Sequence, residues 1–292
     1  MKLQPECIVC LFGQALRAAQ LATSDERQHQ QALQQLAGTV STLSEDAIQV
    51  EVAGQIQAII AQTTGDRDPY RDIKRHYNDL AVQLYPQLQK RLEDAEDPLL
   101  SAIRVAIAGN IVDFGVGNPF DLEHSVEDSF DRDFAIFDYE IFQTRLASAQ
   151  NILYLGDNTG EIVFDRLLIQ RLLQRGKRVT LAVRGGAAIN DATLEDVRYV
   201  GLDELVDVIT TGTALPGVVL DRASGEFKSH FNTADLIIAK GQGNFEGLSD
   251  ADAPIAFLLK AKCGPIARTL GIEPGSLVFR ASDRLRQIAV AP

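Results

Sequence analysis

The sequence predicts an α/β protein: a Rossmann-like, mostly parallel sheet packed with a helical N-terminal region. Three observations carry that prediction. From about residue 150 onward, short apolar runs alternate with stretches of helical period, the pattern of a doubly wound sheet. The first half has helical spacing and no useful length of period-two alternation. Polar, Gly-rich clusters follow directly on three of the apolar runs, and open α/β sheets bind ligands at the carboxyl ends of their strands.

Taken in order, residues 11–22 place Leu11, Ala15, Ala18, Ala19 and Leu21 at helical spacing. Residues 27–64 continue the pattern, with a break expected near Gly38 and Thr39. Residues 70–93 hold Tyr77, Leu80, Leu84, Tyr85 and Leu88, and Pro86 should kink or end a helix there. Asp97-Pro98 is a good helix start, and Leu99, Ile103, Ala106, Ile107 and Asn110 share a stripe that Gly115, Gly117 and Pro119 stop. The acidic run from Asp121 to Glu140 reads as a solvated helix or loop. Then NILYLG is a buried strand, residues 160–175 a helix, KRVTLAVRG a second strand, and Asn190 to Tyr199 a short helix. LVDVITTG, ADLIIAKGQG and APIAFLLKAKC are further strands, and SLVFRA a last one at the edge. The expected division is a helical region at 1–145 and an α/β region at 146–292.

The net charge is −12 and Trp is absent. A field of that sign repels nucleic acid and anionic lipid, so neither is an expected partner. No apolar run approaches the ~20 residues needed to span a bilayer. The start, MKLQPECIVC, lacks a basic stretch followed by a long apolar run, so no signal peptide is expected and the chain reads as cytoplasmic. Cys7, Cys10 and Cys263 are too few for a disulfide framework. Cys7-x-x-Cys10 opens a helical region rather than a βαβ unit, which favours a structural or incidental role over redox catalysis, and Cys263 reads as core.

The chemistry-bearing clusters are Gly156-Asp157-Asn158-Thr159-Gly160-Glu161, Arg184-Gly185-Gly186 with Asn190-Asp191, and Lys240-Gly241-Gln242-Gly243-Asn244-Phe245-Glu246. Asp157, Asn158 and Asp191 supply the oxygen ligands that a hard divalent cation prefers. Mn, Co, Ni or Mg would suit them. Only His230 lies in the α/β half, which disfavours an all-imidazole zinc site. Gly160 and Glu161 start a helix whose positive end favours an anion, and Arg184 and Lys240 can neutralise phosphate oxygens. Taken singly, the Asp157-Asn158 cluster is equally readable as a turn with a helix cap and the Lys240 cluster as a plain loop; their joint occurrence at three strand ends argues for a site. Asn110 and Asp113 lie three apart on one helix face. Asn110 is either a satisfied core amide or, with Asp113, a contact to substrate from a roofing helix.

At GDNTGE the chain resembles the damage-control phosphatases, formerly the domain of unknown function 89 family. The likeness extends over PECIVC, AIAGNIVDFG, LGDNTGEIVFD, VRGGAAINDAT, IIAKGQGNFEGL and LLKAKCGPIA, in that order. PECIVC is similar to the stand-alone prokaryotic branch. The resemblance implies a helical part packed on a Rossmann-like part, one divalent metal, and hydrolysis of small, often damaged phosphomonoesters. It implies metal ligands at Asp157, Asn158 and Asp191, the KGQ lysine at Lys240, and the GN-x-x-D pair at Asn110 and Asp113. Asp157 could orient a water or attack phosphorus itself, with Glu161 or Asp113 as a companion carboxylate. Two other readings compete: an S-adenosylmethionine-dependent methyltransferase, and a non-catalytic module that binds a phosphorylated metabolite. Asn158 in place of a second loop glycine, and Arg184 where an acid would hold ribose, oppose the methyltransferase.

Overall fold

A computed structural model describes residues 1–108, 130 and 132–290. Asn110, Asp113 and most of the acidic run lie outside them. The chain begins with α1 (Pro5–Ala22), α2 (Glu26–Ser41) and α3 (Gln49–Thr64). Leu11, Ala15, Leu36, Val52, Ile56 and Ile60 close a small core of their own between these helices. The helix break falls at 42–48 rather than at Gly38, which sits on a face with open space around it. A lone Gly there costs only about 1 kcal/mol, too little to end a helix that buries Leu36.

α4 (Arg71–Glu93) continues past Pro86 instead of ending there. Proline removes the bond to the carbonyl four residues back, which is that of Val82. Both residues are exposed, so water can take that carbonyl. α5 (Pro98–Ala108) starts where the Asp97 carboxylate accepts from the Leu99 and Leu100 amides, both at 3.0 Å.

The sheet has seven strands. β2 (Asn151–Leu155), β3 (Arg178–Val183) and β4 (Asp207–Thr210) run outward in one direction. β5 (Leu236–Lys240), β6 (Ile255–Lys260), β7 (Leu277–Ala281) and β1 (Phe134–Phe137) extend the other way, giving the order β1-β7-β6-β5-β2-β3-β4. Only the β6–β7 pair is antiparallel. The expected edge strand SLVFRA is interior, because β1 pairs on its far side. β1 lies inside the stretch read as a solvated helix or loop, so the sheet recruits residues ahead of position 146. Four residues among acidic neighbours are too short to announce a strand; β7 supplies the missing partner.

Strand side chains alternate between two layers. Ile152, Tyr154, Leu181, Ile238 and Leu258 face α5 and α7 (Glu161–Gln174). Leu153, Leu155, Ala182, Ile237 and Phe257 face α9 (Gly225–Thr233) and α10 (Gly241–Leu248). The helical half therefore divides: α4 and α5 cover the sheet, while α1–α3 form a separate bundle that meets the sheet at α10. α6 (Tyr139–Ser148), α8 (Leu194–Tyr199), α11 (Gly264–Leu270) and α12 (Asp283–Val290) complete the set. Cys263 caps α11 beyond the end of β6 and is half-buried rather than core. None of the described helices is long and apolar enough to cross a membrane.

Candidate active site

Strand order reverses between the parallel neighbours β5 and β2, so the connections that leave their carboxyl ends run to opposite sides of the sheet. Switch points of this kind are where open α/β sheets bind ligands. Asp157 and Asn158 follow β2 by two and three residues, and Gly241 follows β5 directly. The loop after β3 folds back over them: Ala192 N–H donates to Asp157 O at 2.8 Å, Thr159 N–H donates to Asn190 O at 3.0 Å, and Asn158 bridges Asp191. Asp157, Asn158 and Asp191, the set expected to hold a metal, are thereby brought together.

Each of the three is oriented. Asn158 Nδ2 donates to Asp157 Oδ2 at 2.9 Å, and Asn190 Nδ2 donates to Asn158 Oδ1 at 2.7 Å. Arg184 Nε donates to Asp191 Oδ2 at 2.5 Å, and Nη2 to Asp157 Oδ1 at 3.3 Å. Nη1 donates to Asn244 Oδ1 at 2.9 Å. Arg184 is 1% exposed. Arg184, expected to neutralise phosphate oxygens, turns its planar fork inward and holds the two carboxylates. No Cβ could stand at Gly241, because it would lie 1.8 Å from Asp157 Oδ2, and φ there is +78°. The glycine lets α10 begin directly against that carboxylate.

Lys240 is fully buried, and its three ammonium hydrogens have three acceptors: Ala106 O at 2.6 Å, Asp165 Oδ1 at 2.7 Å and a Glu161 carboxylate oxygen. Tyr154 OH also donates to Asp165 Oδ1, at 2.6 Å. To reach a phosphoryl oxygen directly, Lys240 must exchange one of these acceptors. Glu161 is itself buried, accepting from Asn158 Nδ2 at 3.2 Å. The Gly160 N–H, expected to serve an anion, donates instead to Asn78 Oδ1 at 2.7 Å. Asn78 sits on α4, and its other end donates to Asp196. Asn78 and Asp165 are site-shaping residues that sequence reasoning missed; Asn244 and Glu246 stood in the third polar cluster without a role assigned to them.

The electrostatics suit a cation. Asp157, Asp191, Glu161, Asp165 and Glu246 share this region with two buried cations, Arg184 and Lys240. Burial pushes Asp191 up to about 7 against the pull of Arg184, with the Asp157 charge adding to the rise. Burial raises Glu161 to about 7 as well, opposed by Lys240. Burial also lifts Glu246 to about 7, and a hydrogen bond from Gln242 Nε2 at 2.8 Å works the other way. An excess of closely held carboxylate charge is what a divalent ion offsets. Among the described residues no three His, Cys, Asp or Glu side chains converge on a metal position. The donor set is instead two carboxylates plus the Asn158 amide oxygen, which keeps a second lone pair. These residues fit a hard divalent ion.

Asp157, Asn158, Asn190 and Asp191 open onto a cleft of about 790 Å³. α10 offers Gln242, Gly243 and Glu246 to it, and α1 and α3 form the far wall. Cys7, Cys10 and Cys263 line its mouth as free thiols. Burial pushes the Cys7 and Cys10 thiols up, away from the reactive thiolate.

Residues 3–278 match the model of the damage-control phosphatase ARMT1-like domain. The chain belongs to this family. It is 39% identical to a damage-control phosphatase of Pyrococcus horikoshii, over 95% of this chain and 97% of that one. It is 36% identical to a damage-control phosphatase of Archaeoglobus fulgidus, over 97% of this chain and all of that one. The crystal structure of a DUF89 family protein from P. horikoshii superposes with a TM-score of 0.90 at 37% identity, covering 97% of this chain and 100% of the other. Family membership displaces the methyltransferase reading. So does Arg184, which stands at the end of β3 and is committed to Asp191.

Proposed function

We propose that this chain is a metal-dependent phosphatase that hydrolyses small phosphomonoesters, damaged phosphometabolites or sugar phosphates, to alcohol and inorganic phosphate. The observation that carries the reading is the meeting of Asp157, Asn158 and Asp191 at the β2/β5 switch point, on the wall of an open cleft. Its support is membership of a family whose relatives are named damage-control phosphatases.

Asp157, Asn158 and Asp191 would hold one divalent ion, Mn, Co, Ni or Mg, which would draw charge from the phosphoryl group and favour attack by water at neutral pH. Arg184 and Asn244 keep the two carboxylates in place during that chemistry. The first amides of α10 receive phosphoryl oxygens, as helix amino termini do. Lys240 adds positive charge from behind, in a low-dielectric setting where it is felt strongly. Asp157, held on both oxygens, acts as a ligand rather than a nucleophile. Glu246 lines the cleft with a pKa of about 7, suited to take the proton of the attacking water.

Phosphate release from a broad panel of phosphomonoesters, with and without chelator, tests the reading. Metal-restored release is expected. Binding without turnover across the panel would favour a metabolite-binding module instead. Single turnover in heavy-oxygen water, followed by mass analysis of the Asp157 peptide, should leave that carboxylate unlabelled.

A further inference from the structure

The loop after β3 contains a strained residue. Ile189 has φ +50°, and no other non-glycine among the described residues has a positive φ. In that region the Cβ of an L-residue crowds the following carbonyl oxygen, and a β-branched residue there is a genuine outlier. The local cause is a tight turn. Asp191 N–H donates to Ala188 O at 2.9 Å, so Ile189 is the first of the two central residues. A turn with positive φ at that position alone is one that glycine ordinarily fills.

The residues beyond the turn are tied to all three proposed metal ligands. Asp191 follows it directly and accepts from Arg184 Nε at 2.5 Å. Asn190 Nδ2 donates to Asn158 Oδ1 at 2.7 Å, and Asn190 O accepts from the Thr159 N–H at 3.0 Å and the Thr159 hydroxyl at 3.1 Å. Ala192 N–H donates to Asp157 O at 2.8 Å. A change of φ at residue 189 would carry Asn190 and Asp191 off these partners together.

Strain of this kind persists only where the surroundings fix it. The bonds beyond the turn are one restraint, and the Ile189 side chain is another. It is half-buried and packs against the apolar core closed by α1, α2 and α3. Glycine would take the turn without strain but would set nothing on that core. With isoleucine the turn is strained and anchored.

We propose that Ile189 is a positioning residue for the metal ligands. Its side chain, docked on the α1–α3 core, offsets the strain at its own backbone and holds Asn190 and Asp191 in register with Asp157 and Asn158. The bundle is then part of the metal centre, although none of the proposed ligands lies on it. The inference rests on the metal-dependent reading of that site.

Three substitutions separate docking from strain. Ile189→Val largely keeps both, and Ile189→Gly removes both. Ile189→Ala keeps the positive φ in an L-residue and removes most of the contact. Mn²⁺ dissociation constants would be measured by calorimetry on chelator-treated protein. In the same metal-free samples, hydrogen exchange would be followed at the Thr159, Asp191 and Ala192 amides. Ile189→Ala should weaken Mn²⁺ binding about tenfold, the scale of a lost support behind a ligand. Ile189→Gly should weaken it less, and Ile189→Val should stay near wild type. Amide exchange should accelerate in the same order, fastest in Ile189→Ala. A side chain that only fills space would give the reverse order, because glycine leaves the larger gap. Metal affinity decides: a glycine variant equal to or worse than the alanine variant overturns the inference, and so does an alanine variant that matches wild type. Should wild type bind no Mn²⁺, the metal reading fails, and the exchange order alone then decides, by the same criteria, whether Ile189 positions the turn. Should Ile189→Ala not fold, Ile189→Ser, equally strained and equally undocked, takes its place.

Discussion

Gly241→Ala is the sharpest test of how the site is built. The added Cβ would lie 1.8 Å from Asp157 Oδ2 and 2.2 Å from its Cγ, where real contacts stay beyond 3.0 Å. The carboxylate must therefore retreat by more than about 1 Å, and a displacement of that size can cost on the order of 100-fold in rate. Retreat also strains the bonds from Asn158 and Arg184. Backbone strain is a separate cost, because φ at Gly241 is +78° and a side chain there loses about 1–2 kcal/mol. Gly176→Ala isolates that second cost: its φ is +73° and its Cβ meets nothing within 4 Å. Urea unfolding and metal-loaded phosphate release would be measured on both variants. Both should lose about 1–2 kcal/mol of stability from strain alone, with a further loss in Gly241→Ala. Only Gly241→Ala should lose activity, by roughly 100-fold in kcat/KM. A folded Gly241→Ala protein within threefold of Gly176→Ala would refute the idea that α10 packs against a working Asp157.

Other perturbations probe the buried charges. Lys240→Met leaves Glu161 and Asp165 facing each other without their cation and should cost about 3–5 kcal/mol in urea unfolding; a loss below about 1 kcal/mol would mean that the ammonium is not shared as described. Asp191→Asn should reduce bound divalent metal well below one per chain by elemental analysis, and full metal content would remove Asp191 from the ligand set. Glu246→Gln carries two opposite expectations. The folded pKa is raised from 4.5 to about 7, so wild-type stability falls as pH rises between those values. In chelator-treated protein the variant should match wild type near pH 4 and exceed it by up to about 3 kcal/mol at pH 8. Its activity should fall, and the rise of rate with pH near 7 should disappear; a retained rise would assign the proton to another group. Asn78→Ala should cost about 1–3 kcal/mol, since it leaves the buried Gly160 N–H unpaired.

Much of the architecture was legible because its signals are local. NILYLG, KRVTLAVRG, ADLIIAKGQG and APIAFLLKAKC are strands because each is a short apolar run bounded by turn residues. The misses have a common cause. β1 is four residues long and becomes a strand through β7, far away in sequence. Pro86 stays inside a helix because its lost bond faces solvent. The KGQGN segment looks like a glycine loop, yet it begins a helix once Gly241 has turned the chain.

The sequence by itself determined a parallel α/β sheet with polar clusters at its strand ends, since periodicity is local and Asp157 is tied covalently to the end of β2. It also marked Asp157, Asn158 and Asp191 by ligand chemistry alone. Only the tertiary structure decided which way each polar group faces. It turned Arg184 inward to two carboxylates, closed Lys240 between Glu161 and Asp165, and spent the Gly160 N–H on Asn78 from a helix 82 residues earlier. It also left the side-chain oxygens of Gln14 and Gln49 buried without a hydrogen-bond partner among the described residues. Burial and pairing belong to the whole packed neighbourhood of a side chain, and a residue's identity and spacing do not contain them.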